Sequence, residues 1–166
     1  MPVNLELKLK VPSHRTFETI LEQINAEYKG VLVQKDIYYI VKNGLLKLRV
    51  EDGTYCLIKY LRDEKGERWS NYELLFLKGG NPEKYLSDIF ATDCVVEKKR
   101  KLYLYKNTRI HLDDVKRLGK FLELETIVRK NKKDAQKKFD EIVQLLKLDL
   151  TNQIRASYRN LLKKVL

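Results

Sequence analysis

DIYYIVKNGLLKLRVEDGTYCLIKYLR, Asp36 to Arg62, holds three runs rich in β-branched, aromatic and aliphatic residues, separated by Asn43-Gly44 and Asp52-Gly53. Both dipeptides suit the positive-φ positions of a tight hairpin turn, so the stretch predicts three antiparallel strands in succession. Residues opposite one another across such a turn share a face of the sheet. Around Asn43-Gly44, Lys42 falls opposite Leu45, Ile40 opposite Lys47, Tyr38 opposite Arg49 and Asp36 opposite Glu51. Around Asp52-Gly53, Arg49 falls opposite Cys56, Lys47 opposite Ile58 and Leu45 opposite Tyr60. One face therefore carries Asp36, Tyr38, Lys47, Arg49, Tyr60 and Arg62. The other carries Leu46, Leu48, Val50, Tyr55 and Leu57, apolar enough to lie beneath helices.

A fourth strand, RWSNYELLFL, returns after the turn-rich DEKGE. With a four-residue loop Trp69 shares the face of Tyr60, and with a five-residue loop Arg68, Ser70 and Tyr72 share it; local sequence leaves both open. Upstream, VNLELKLKV (Val3 to Val11) alternates without a fault. Downstream, CVVEKKRKLYLY and TRIHLDDV flank Lys106-Asn107, and Leu118-Gly119 leads into KFLELETIV. Pro12-Ser13 breaks the first strand, and Phe17, Ile20, Leu21 and Ile24 mark a helix that reaches toward Gly30. Asn81-Pro82 opens another with Tyr85, Leu86, Ile89 and Phe90 inward, since Asn caps well and Pro suits the first turn. Two amphipathic helices close the chain, Asp134 to Lys147 and Thr151 to Val165. The fold class is α+β, one domain over residues 1 to 166 with about eight antiparallel strands.

Every long strand has one apolar face and one charged face. A flat sheet with a wet side would read the same way. The signs, however, are sorted by strand: basic pairs at Lys8/Lys10, Lys47/Arg49 and Lys98/Arg100, carboxylates at Glu6, Asp113 and Glu123/Glu125, with Arg109, His111 and Asp113 sharing a face. If the strands close into a barrel with the helices outside, these faces look inward at one another. Arg and Lys clustered there suit phosphate oxygens, Arg as a bidentate fork and Lys as a point charge. Carboxylates sharing the cavity repel one another unless a hard divalent cation lies between them. The combination points to a metal-chelated polyphosphate.

The totals are consistent with this. Lys and Arg number 34 against 23 Asp and Glu, a net charge of +11 that points to an anionic partner. Nucleic acid is disfavoured, because the basic positions share faces with carboxylates. Cys56 and Cys94 lack metal-ligand or CxxC spacing, and no apolar run has the length of a membrane span, so a cytoplasmic protein without a membrane partner is expected.

Taken in order, the motifs resemble those of the CYTH superfamily, the triphosphate tunnel metalloenzymes, over nearly the whole chain. Asn4-Leu5-Glu6-Leu7-Lys8 matches the family's ExExK strand. Gln34-Lys35-Asp36-Ile37-Tyr38-Tyr39 matches its QxDxYF-like segment, followed by LKLR (Leu46 to Arg49), LIxYxR (Leu57 to Arg62), KxR (Lys98 and Arg100), RIHLD (Arg109 to Asp113) and LGxFxExE (Leu118 to Glu125). SYRNLL, Ser157 to Leu162, resembles the ending of the class IV adenylyl cyclase branch. The resemblance implies a closed eight-stranded antiparallel tunnel that holds a triphosphate and one or two Mg²⁺ or Mn²⁺ ions. By motif position Glu6, Glu123 and Glu125 are metal ligands, and Asp113 is a ligand or water-orienting group. Lys8, Lys47, Arg49, Arg62, Lys98, Arg100 and Arg109 hold phosphates, with Arg68 and Ser70 inward if the five-residue loop applies. Lys8, Arg100 and Asp113 are the expected catalytic set. Tyr60 stands where triphosphatase branches often carry Lys, which leans toward the cyclase.

The chain departs from the family at Asn4, which offers a carbonyl oxygen where the pattern has its first Glu. His111 reads as a base or a hydrogen-bonded structural residue, and Tyr158 as packing. ATP converted to cyclic AMP and pyrophosphate is the first expectation. Hydrolysis of inorganic or thiamine triphosphate and non-catalytic polyphosphate binding are the alternatives, and the cyclase-like relatives imply a homodimer.

Overall fold

The computed structural model describes residues 3–62 and 69–166. In chain order it comprises β1 (Val3–Lys10), α1 (Arg15–Gln23), β2 (Glu27–Tyr39), β3 (Leu45–Glu51), β4 (Thr54–Arg62), β5 (Trp69–Leu77), α2 (Pro82–Ser87), β6 (Thr92–Tyr105), β7 (Thr108–Val115), β8 (Gly119–Ile127), α3 (Lys132–Leu145) and α4 (Tyr158–Val165). The strands close into a barrel in the order β1-β5-β4-β3-β2-β6-β7-β8, and every neighbouring pair is antiparallel.

The apolar faces point out and build the core between barrel and helices. Leu5, Leu7 and Leu9 of β1 join Ile110, Leu112, Leu122 and Leu124 of β7 and β8, covered by Leu21 of α1 and by Phe139, Ile142, Val143 and Leu146 of α3. Each such aliphatic side chain contributes roughly 1.5–3 kcal/mol on burial. A second layer puts Leu86 of α2 over Ile37, Tyr39 and Leu48. A third lies at one end of the barrel, where Tyr158 and Leu162 of α4 pack on Tyr38, Cys94, Val96, Val115 and Phe121.

The hairpin geometry holds at Asp52-Gly53, where both residues take positive φ (47° and 73°) and Arg49 pairs with Cys56, Lys47 with Ile58 and Leu45 with Tyr60. At Asn43-Gly44 it does not. Tyr38 pairs with Lys47 and Asp36 with Arg49, two residues away from the expected register. The Ile40 amide turns to the carbonyl of Ala91 instead, so pairing stops at Tyr39 and a wider connection follows. A slip of two leaves every side chain on its expected face. Between β4 and β5, Tyr60 pairs with Tyr72 and Arg62 with Ser70, the parity of the five-residue alternative. Arg68 itself lies outside the described residues, and for Arg62 and Ser70 only the backbone pairing is described.

Three helices are shorter than their apolar patterns. The first ends at Ile24 because Asn25 adopts φ 55°, and Gly30 falls at an irregularity inside β2. Asn81 caps α2 as expected, its side chain accepting from the Lys84 amide at 3.1 Å, but Tyr85 and Ile89 are exposed rather than inward. The closing helix does not start at Thr151. Asp149 caps a single 3-10 turn, Leu150–Asn152, and the chain then crosses the barrel end until Ser157 caps α4. Among the described residues no helix is long and apolar enough to cross a membrane.

Candidate active site

Inside the barrel lies a cavity of about 370 Å³, lined by Glu6, Lys8, Lys47, Arg49, Lys98, Arg100, Arg109, Glu123 and Glu125 among the sequence-predicted residues. Alternate positions of five strands bring these side chains together, because period-2 alternation sends one face of each strand inward. Lys10 belongs to the same alternation but stays outside: it is exposed, with its ammonium over the Phe121 ring.

On one wall, Asp36 gathers three cations. Arg49 donates Nε and Nη2 to Oδ1 and Oδ2, both at 2.8 Å, while Lys47 and Lys98 each reach Oδ2 at 2.9 Å. Burial alone raises a carboxyl pKa, but Arg49, Lys47 and Lys98 together pull Asp36 well below the ordinary value. Three cations around one carboxylate leave an excess of positive charge. Burial, reinforced by Arg49, pushes Lys47 down to about 8, and burial pushes Lys98 down to about 7 despite Asp36. An incoming anion relieves that excess.

The facing wall is a relay. Arg100 donates Nε and Nη2 to the two oxygens of Asp113, each at 2.7 Å, and its Nη2 also meets Glu123 Oε2 at 3.0 Å. Tyr158 donates its hydroxyl to Asp113 Oδ2 at 2.7 Å. Lys8 lies 3.5 Å from Glu123 Oε1, donates to the Ala156 carbonyl at 2.9 Å, and sits 4.2 Å above the Tyr158 ring. Asp113 is fully buried, with both oxygens engaged, and is absent from the cavity lining. It holds Arg100 in plane through two hydrogen bonds. His111 is buried with Nδ1 lacking a hydrogen-bond partner, and burial and Arg100 lower its pKa.

Glu6 stands directly opposite Glu125 across β1 and β8, and like carboxylates in that relation repel. Asn4, fully buried, donates Nδ2 to Glu125 Oε1, which leaves its Oδ1 buried without a partner beside that pair. An all-oxygen donor set suits Mg²⁺ or Mn²⁺. Among the described residues no three His, Cys, Asp or Glu side chains converge to cage an ion unaided. A hard cation held here would need water or phosphate oxygens to complete its shell, the habit of Mg²⁺ at polyphosphate sites.

The segment before α4 contributes residues that local patterns did not flag. Ile154 N–H bonds to the Lys8 carbonyl at 2.8 Å, and Gln153, Arg155, Ser157 and Tyr158 line the cavity. Tyr158, expected only to pack, both packs and bonds to Asp113. Asp36 carried a legible signal: it is a carboxylate on a face with Tyr38, Lys47 and Arg49.

The family model for the CYTH domain matches residues 3–158. A Methanocaldococcus jannaschii protein, provisionally named an adenylate cyclase, is 26% identical over 96% of this chain and 98% of its own. A Pyrococcus horikoshii protein superposes with a TM-score of 0.81 at 22% identity, over 95% of this chain and 98% of that one. A Hippeastrum protein described as an adenylyl cyclase with a dominant triphosphatase activity superposes at 0.69 with 13% identity, over 99% of this chain and 96% of that one. The last two likenesses concern the fold.

Proposed function

The chain belongs to the CYTH domain family, and from that premise we propose that its barrel binds a triphosphate chelated to Mg²⁺ or Mn²⁺ and catalyses transfer at phosphorus, with ATP cyclisation as the first reaction to test. The observation that carries this is the excess of buried cation around Asp36, facing Glu6, Glu123 and Glu125 across one cavity.

In this reading Lys47, Arg49 and Lys98 take phosphate oxygens while Asp36 keeps them aligned. Arg100, held in plane by Asp113, and Lys8, held by the Ala156 carbonyl, face the charge that develops at the reacting phosphorus. Arg109 is exposed and 3.7 Å from Glu125 Oε2, so it serves at the rim. Glu6, Glu125 and the Asn4 carbonyl oxygen would hold the cation, with Glu123 nearest to Lys8 and Arg100. A bound divalent ion supplies Lewis-acid polarisation of phosphate oxygens.

As a cyclase, the ribose 3′-oxygen displaces pyrophosphate from the α-phosphorus; as a triphosphatase, water displaces phosphate at the terminal phosphorus. Both use in-line geometry. The hydrolytic reading draws support from the activity in the Hippeastrum protein's description. Incubation with ATP, tripolyphosphate and thiamine triphosphate in Mg²⁺ or Mn²⁺ tests these. Cyclic AMP with pyrophosphate supports cyclisation, orthophosphate supports hydrolysis, and metal-dependent binding without turnover supports a binder. Absence of binding by all three overturns the proposal.

A further inference from the structure

Among the described residues four carboxylates line the cavity, Glu6, Glu51, Glu123 and Glu125, and their surroundings differ. Glu123 is served by the protein's own cations, with Lys8 3.5 Å from Oε1 and Arg100 donating Nη2 to Oε2 at 3.0 Å. Against the upward pull of burial, Lys8 and Arg100 hold that carboxyl well below the ordinary range. Glu51 belongs to β3, which pairs with neither β1 nor β8, and it accepts from Gln34 Nε2 at 2.6 Å. Glu6 and Glu125 remain, directly opposite each other. Asn4 decides how much charge they can offer. It has the strand parity of Glu6 but no charge, and it donates Nδ2 to Glu125 Oε1, while Arg109 lies 3.7 Å from Oε2. Each oxygen keeps a lone pair for a metal, yet the charge of Glu125 is already partly answered.

We infer that this cavity takes a single divalent cation with its triphosphate, held by Glu6 and Glu125 from β1 and β8, and that Lys8 and Arg100 stand in for a second ion beside Glu123. The inference rests on the triphosphate reading of the same cavity. Two carboxylates completed by phosphate oxygens suit one hard cation. A second would depend on Glu123, where two positive groups already lie within 4 Å of the carboxylate and like charges repel strongly away from water. Asn4 removes the other route, because it neither adds a charge to the Glu6 and Glu125 pair nor leaves Glu125 untied. A carboxylate at that position would do both, so the count of bound ions depends on this one side chain.

Mn²⁺ is titrated into the intact protein held in excess over tripolyphosphate, and the ions bound are counted by electron paramagnetic resonance after subtraction of uptake by the protein alone. The wild type should take up one Mn²⁺ per tripolyphosphate, with the signal of an isolated ion. Asn4→Glu should take up two, with the broadening of a coupled pair. Glu123→Gln should still bind one, with an affinity within about threefold of the wild type, because that carboxylate serves Lys8 and Arg100. None or two ions in the wild type, one in Asn4→Glu, or a loss of about tenfold or more in Glu123→Gln each overturns the inference and leaves the triphosphate reading standing. Tripolyphosphate that does not bind the wild type at all removes both. If Asn4→Glu does not fold, the wild-type count and the Glu123→Gln affinity still decide.

Discussion

Tyr158 donates its hydroxyl to the same Asp113 oxygen that receives Nη2 of Arg100, so the closing helix and the inward-facing guanidinium are joined through one buried carboxylate. Tyr158 is thereby a positioning residue. Tyr158→Phe keeps the packing on Phe121 but removes a hydrogen bond to a buried charge, with an expected stability loss of about 1.5–3 kcal/mol in urea unfolding. Turnover should fall several-fold at nearly unchanged KM, because Arg100 keeps its bidentate partner but loses the brace behind it. Unchanged kcat in a destabilised protein would show that the hydroxyl serves folding alone.

Asp36→Asn preserves shape while leaving Lys47, Arg49 and Lys98 without a counter-charge. Breaking a buried ionic cluster from one side costs about 3–5 kcal/mol, and urea unfolding should show that loss. Added tripolyphosphate with Mg²⁺ should then raise the unfolding midpoint of Asp36→Asn more than that of the wild type, since the anion replaces the missing charge. An equal rise in both proteins would mean that the three cations are not where phosphate binds.

The faces of the strands were legible because alternation records parity, and parity survives the two-residue slip between Tyr38 and Lys47. Register was less legible, since Asn43-Gly44 fits a tight turn locally while the Ile40 amide is drawn away to Ala91 by tertiary structure. The end wall was not legible at all. Residues 153–157 carry an apolar spacing that suits a helix, and only the Ile154 bond to Lys8 and the Ser157 cap show the chain laid across the barrel end. For the same reason the hydrogen bond from Tyr158, which reads as a packing residue, to Asp113 was not legible.

The low pKa values of Lys98 (about 7) and Lys47 (about 8) set two opposite pH trends. Their unfolded values lie near 10.4, so between about pH 7 and 10 the unfolded chain binds more protons, and these two groups make stability rise with pH. Triphosphate affinity should move the other way, falling above pH 7 to 8 as the folded protein loses the cations that phosphate requires. Facing them are Asp36, Arg49, Arg100 and the Tyr158 ring, none of which supplies a competing change of charge in that range. Calorimetry at pH 8 in buffers of different ionisation enthalpy should detect proton uptake on tripolyphosphate binding, and Lys98→Met should remove most of it. Uptake unchanged in Lys98→Met would place the titrating group elsewhere.

Asn4 offers the sharpest test of the metal site, because it stands beside the opposed Glu6 and Glu125 and ties one of them down. Asn4→Glu replaces a donor to Glu125 with a third carboxylate. In EDTA the three acids repel and the variant should be less stable than the wild type. In Mn²⁺ the added charge should tighten binding about tenfold, and Glu125→Gln should weaken it by a similar factor, both read from the Mn²⁺ signal in electron paramagnetic resonance without any turnover. The unfolding midpoint of Asn4→Glu should therefore gain more from Mn²⁺ than that of the wild type. If Mn²⁺ affinity is indifferent to both substitutions, the cation is not held between β1 and β8, and the repulsion between Glu6 and Glu125 must be relieved by some other positive group.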